Sequence, residues 1–179
     1  MGEETILISE GDLAEAAGAD AEAYEVQLLG ALMWAPEHLA ATAAGLIGPA
    51  DFYRPAAGEL AAVIIERITD GRDYHPAAIL AALTATGKTS GQHGTTLARL
   101  LTAATTSPAD PLHLPALTYL VAAAAARRAY TAAAVTLDQA ARTAPEARLF
   151  EQLLTIGHTA RARENRMTRI RAWAGHTTG

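Results

Sequence analysis

The sequence predicts an all-α protein, and three observations carry that prediction. Half of its 179 residues are hydrophobic while aromatics supply only 5%, a balance tilted toward alanine, the best helix former. Apolar residues recur at three- and four-residue spacing in one segment after another. Prolines and glycines fall between those segments and almost never inside the last third of the chain. The expected architecture is a helical globule followed by a long C-terminal helical hairpin.

Residues 1–20 form an acidic lead segment with Glu3, Glu4, Glu10 and Asp12. They show no sustained period, and "TILIS" reads as a short strand or a loose tail. Asp20 is a suitable N-cap for a helix through "AEAYEVQLLGALMWA", with Val26, Leu29, Leu32 and Met33 at helical spacing. Gly30 sits inside that helix at a cost of about 1 kcal/mol against alanine, which points to a close helix crossing. Pro36 ends the helix and opens the next, "PEHLAATAAGLI". "GPADFYRP" is a loop whose Phe52 and Tyr53 are expected to plug the core. Leu60, Val63, Ile64 and Ile68 define a helix from Pro55 to Thr69, and Gly71 stops it. Pro76 opens a short helix to Ala85, a Gly/Ser loop follows, and "TTLARLLTAATT" makes another helix before Pro108.

From Leu114 to Arg142 there is no glycine, and no proline after Pro115. That is a long helix. Thr143 and Glu146 read as a capping box that starts a second helix, Ala144 to Arg166, carrying Leu149, Phe150, Leu153, Leu154 and Ile156. The expected domains are the lead segment 1–20, a globular part 21–112, the hairpin 113–166 and a flexible tail 167–179.

The chemistry-bearing residues argue against catalysis. Gly87-Lys88-Thr89 resembles the end of a phosphate-binding loop, but the glycine needed five residues before Gly87 is Ala82. The preceding "PAAILAALTA" reads as helix, not as the strand such a loop leaves. There is no cysteine, hence no disulfide and no thiolate metal site. No two of the six histidines are spaced i, i+4, and His75 and His113, each two residues or fewer from a helix-opening proline, read as turn residues. Glu22 and Glu25 share a helix surface and read as solvated. No metal, no cofactor and no catalytic residue are expected, and the apolar run "YLVAAAAA" is too short for a bilayer. With an acidic N-terminus and no signal peptide, the chain reads as a cytoplasmic protein.

A hairpin cannot bury both faces of its helices on itself, so leucines left outside form a patch of the kind that marks an interface. Leu117, Leu120, Val121, Ala124, Arg127, Arg128, Leu149, Leu153 and Ile156 are the interface candidates, and a symmetric dimer is the simplest closed use of such a surface. Arg127 and Arg128 point about 100° apart, so one faces a partner while the other meets solvent or a carboxylate. Net charge is −5, which opposes general nucleic-acid coating. Five arginines nevertheless crowd residues 161–171, and Arg161, Arg163 and Arg166 are the candidates for a weak contact with DNA phosphates.

The order of these pieces carries a resemblance. "EVQLLGALM", "DFYRP", a proline-opened short helix, "LARLLTAATTSPAD" and "LTYLVAAAAARR" together resemble the N-terminal domain of bacterial replicative DNA helicases of the DnaB type, from about Glu22 to Arg128. The departures at Ala57-Gly58-Glu59-Leu60, Ala122–Ala126 and Gln92-His93-Gly94 mark a divergent or free-standing member. The resemblance implies an all-helical domain whose hairpin dimerises, with three dimers capping a hexameric ring. It implies contact with the primase or a helicase loader as part of the primosome, and no chemistry in this domain, because the family's ATPase motor lies elsewhere in the chain. The competing reading is a DNA-binding accessory factor that uses the C-terminal arginines.

Overall fold

The computed structural model describes the backbone of residues 10–176 and the side chains of residues 22–175. Every regular element among the described residues is helical. Seven α-helices run in order: α1 (Glu10–Trp34), α2 (Glu37–Ala44), α3 (Pro55–Thr69), α4 (Pro76–Ala85), α5 (Gly91–Thr106), α6 (Leu114–Thr143) and α7 (Glu146–His176). Short 3-10 turns at Pro49–Asp51 and Pro111–His113 precede α3 and α6.

Proline sets the starts. Pro55 and Pro76 occupy the first positions of α3 and α4, and Pro115 the second of α6, where a missing N–H leaves nothing unsatisfied. Pro36 ends α1 and its carbonyl accepts the N–H groups of Leu39 and Ala40 at 3.0 Å. Gly71 and Gly87 take positive φ after α3 and α4, the left-handed conformation that closes a helix.

The core gathers Leu28, Leu29, Leu32 and Met33 from α1, Leu60 and Ile64 from α3, Ile79 and Leu83 from α4, Leu97 from α5 and Leu114 from α6, all with no exposed surface. Each such side chain contributes roughly 1.5–3 kcal/mol relative to exposure. Helix α1 is central, packing on α6, α5 and α3. The close crossing expected at Gly30 is with α5: any Cβ there would overlap the carbonyl oxygen of Ala104. Gly58 has the same role beside Pro49, whose carbonyl oxygen lies 2.6 Å from where its Cβ would be. Phe52 is buried as expected, but Tyr53 is 58% exposed and does not plug the core.

Helices α6 and α7, 30 and 31 residues long, pack on each other as the expected hairpin. Three expectations are corrected. Helix α1 begins at Glu10 rather than after Asp20, so part of the lead segment is helical; "TILIS" lies outside the described residues. Thr143 closes α6, its Oγ1 donating to the Gln139 carbonyl at 2.9 Å, so it is not the N-cap of α7. Helix α7 does not end near Arg166. It continues to His176, and Met167 and Ile170 are buried against Leu46 and Ala122. Their i, i+3 spacing, repeated at the half-buried Trp173, turns one apolar stripe toward the globule.

Candidate functional site: a clasped helical hairpin

The loop before α3 is where the hairpin is fastened. Asp51 closes the first 3-10 turn, and its Oδ2 accepts the N–H of Gly48 at 2.8 Å. Its carboxylate is 4% exposed and receives both guanidinium nitrogens of Arg166, at 2.8 and 2.6 Å. Arg166 lies 115 residues further on, in α7. The bidentate geometry gives direction as well as strength. From α6, Arg128 donates to the carbonyl oxygen of the same Asp51 at 2.5 Å, and its guanidinium lies 5.6 Å from the centre of the Tyr53 ring.

Glu25 of α1 completes the group. It is 2% exposed and accepts the Tyr53 N–H at 2.6 Å, with Arg128 at 4.0 Å. Burial pushes the Glu25 carboxyl above its ordinary value, opposed by the Tyr53 N–H and the Arg128 charge. The reading of Glu25 as solvated is therefore corrected; Glu22 pairs with Arg54 at the rim. The stretch Asp51–Arg54 is thus tied to α1, α6 and α7 together.

Beyond this clasp the hairpin has little to lean on but itself. Phe150 is 67% exposed, Val135 62% and Leu153 48%, and Leu154 and Tyr130 are equally open. Phe150, Leu153 and Leu154 share one face of α7 through their i, i+3, i+4 spacing. Leu149 and Ile156 are half-buried, and Ile156 lines a cavity with residues of α6. Between the helices a shallow cavity of about 140 Å³ is lined by Ala129, Tyr130, Ala133, Ile156 and Arg163 among others, with the Arg163 guanidinium over the Tyr130 ring.

These placements divide the interface candidates. Leu117 and Val121 are buried in the globule core and are corrected to core residues. Leu120 stands at the surface, Ala124 is half-buried, and Leu153 is exposed. Arg127 faces solvent, while Arg128 turns inward onto the chain's own Asp51 loop. Of the arginines offered to DNA, Arg161 is exposed, Arg163 covers Tyr130, and Arg166 is held by Asp51. Arg166 is therefore corrected to a structural cation. Asp51, Phe150, Leu154, Tyr130 and Val135 belong to the site but were not singled out for it in the sequence.

In the glycine loop the one lysine of the chain is engaged by a carboxylate. Lys88 pairs with Glu59 of α3 at 2.8 Å, and His93 of α5 reaches the other oxygen at 2.7 Å. Hydrogen bonding from Lys88, then from His93, holds the Glu59 carboxyl below its ordinary value despite some desolvation. Among the described residues no group of three or more His, Cys, Asp or Glu side chains could hold a metal ion, and no helix is long and apolar enough to cross a membrane.

The described residues thus form a helical globule from which a clasped hairpin projects. Residues 19–113, more than half of the chain, match the family described as the DnaB-like helicase N terminal domain, and the chain belongs to that family. This makes it a helicase N-terminal module of DNA replication. The matched stretch ends where α6 begins, so it takes in the globule and the Asp51 loop and leaves the hairpin outside. No curated protein and no solved structure matched the chain.

Proposed function

We propose that this chain is a non-catalytic assembly module that pairs with a second copy through the outer face of its hairpin and presents the globule to a primase or helicase loader. The single observation that supports the pairing is the exposed apolar face of α7 at Phe150, Leu153 and Leu154, which lies beyond the globule core. Large side chains clustered in this way mark an interface, and a two-fold axis closes such a surface on itself. The clasp supports the reading, because a hairpin fixed at its base presents that surface in one orientation. Membership of the family supports the reading that the globule docks a partner. The engagement of Arg163 and Arg166 within the chain weighs against the DNA-binding alternative.

Sedimentation velocity at tens of micromolar tests the pairing. The wild type sediments as a dimer or larger, and Leu153→Glu sediments as a folded monomer, since an unpaired charge buried in the interface is strongly unfavourable. A wild type that remains monomeric overturns the proposal. The absence of catalysis through Lys88 is tested by melting with excess Mg-ATP. An unchanged Tm agrees with it, because a ligand bound to the native state must raise Tm.

A further inference from the structure

Away from the hairpin, two adjoining concavities of about 250 and 330 Å³ share Val26, Arg54 and Leu100 and form one groove between α1, α3 and α5. Val26, Ala56 and Leu100 are half-buried against the core and Ala57 is buried, so the floor is largely apolar; Glu22 and the buried Glu25 line the end away from Arg99. Arg99 stands exposed at its edge and makes no ion pair among the described residues. Arg54, opposite, is paired with Glu22. The groove asks for a narrow apolar segment flanked by acid on the Arg99 side.

The chain contains such a segment. "EETILIS" sets Glu3 and Glu4 just before Ile6, Leu7 and Ile8, and no lysine or arginine precedes Arg54. Reach decides whose groove it enters. Helix α1 rises ~1.5 Å per residue, which places Val26 ~24 Å from Glu10. An extended chain gains at most ~3.6 Å per residue, so Ile6 gets no more than ~14 Å back from Glu10. The apolar residues fall short of their own groove. We infer that the groove between α1, α3 and α5 receives the leading segment of a second copy, with Ile6, Leu7 and Ile8 on Val26 and Leu100 and Glu3 or Glu4 on Arg99. The inference rests on the self-association proposed above and adds to it a second contact between copies.

The absence of cysteine makes the test clean. An affinity-tagged full-length Leu7→Cys chain is mixed with an untagged Ala103→Cys chain and oxidised gently. The mixed disulfide pair should exceed by at least fivefold that formed by Leu7→Cys with Thr136→Cys on the hairpin. Adding Arg99→Glu to the Ala103→Cys chain should cut the yield at least threefold, and Glu3→Arg with Glu4→Arg on the other chain should restore it. A yield no higher than the hairpin control overturns the inference, as does a Leu7→Cys/Ala103→Cys double variant that closes only within one chain. Sedimentation of the same samples separates the two proposals. A dimer without the cross-link overturns the exchanged segment alone, and a monomer without it overturns the pairing as well.

Discussion

The globule and the outer hairpin use the same residue types to opposite ends. In the globule, Leu28, Leu32, Leu60 and Leu97 are fully enclosed. In the hairpin, Leu153, Leu154 and Phe150 are at least 45% exposed. Both regions are helical and both show regular apolar spacing. They differ in what lies opposite each stripe: α1 is packed by α3, α5 and α6, whereas the outer part of α7 has α6 on one side and solvent on the other. An apolar stripe is therefore evidence of burial only when the chain supplies enough elements to cover it. Where it does not, the stripe is evidence of a partner.

The junction between the regions should respond most strongly. Asp51→Ala leaves the part-buried Arg166 guanidinium and the Gly48 N–H without their acceptor, and breaking such a pair from one side costs about 3 kcal/mol, the low end of the range for buried pairs. Urea unfolding should show a midpoint lowered accordingly at constant slope. Gly30→Ala attacks the globule alone, forcing α1 and α5 apart at the Ala104 carbonyl; overpacking of this kind costs about 1–3 kcal/mol. Phe150→Glu attacks the outer hairpin alone. Monomer stability should stay within about 0.5 kcal/mol, as for other surface changes, while the sedimenting species falls to monomer. A Phe150→Glu chain as unstable as Gly30→Ala would erase the distinction between the two regions.

The smallest effects concern two glutamates. The Glu25 carboxyl is raised by burial, so its ionised form opposes folding above its folded pKa, and that opposition fades as pH falls toward the ordinary 4.5. The Glu59 carboxyl is lowered, chiefly by hydrogen bonding from Lys88, so it supports folding above 4.5 and loses that support as pH falls through its depressed value. From pH 7 toward pH 3, the wild type should gain stability relative to Glu25→Gln and lose it relative to Glu59→Gln. Parallel profiles in urea would contradict both assignments.

Much of the helix order was legible because its signals are local. Pro36, Pro55, Pro76 and Pro115 mark starts, Gly71 and Gly87 mark stops, and each acts within one turn. The site was less legible because its contacts are remote. Asp51 finds Arg128 and Arg166 across 77 and 115 residues, and no window of local periodicity spans such distances. An acidic residue also looks the same in sequence whether it is solvated, like Glu37, or buried, like Glu25. The end of α7 is hidden in the sequence for a related reason. Five arginines crowd residues 161–171, but Met167, Ile170 and Trp173 run among them on the inward side.

Because α6 leaves the globule beyond its buried turns at Leu117 and Val121 and α7 comes back to it through Arg166 and Ile170, the hairpin is anchored at two roots. A push on its tip becomes tension along one rod and compression along the other, and both meet at the short turn ending in Asp51. The module is braced like a strut, so whatever seizes the tip pulls on the globule as a whole and cannot peel one helix away.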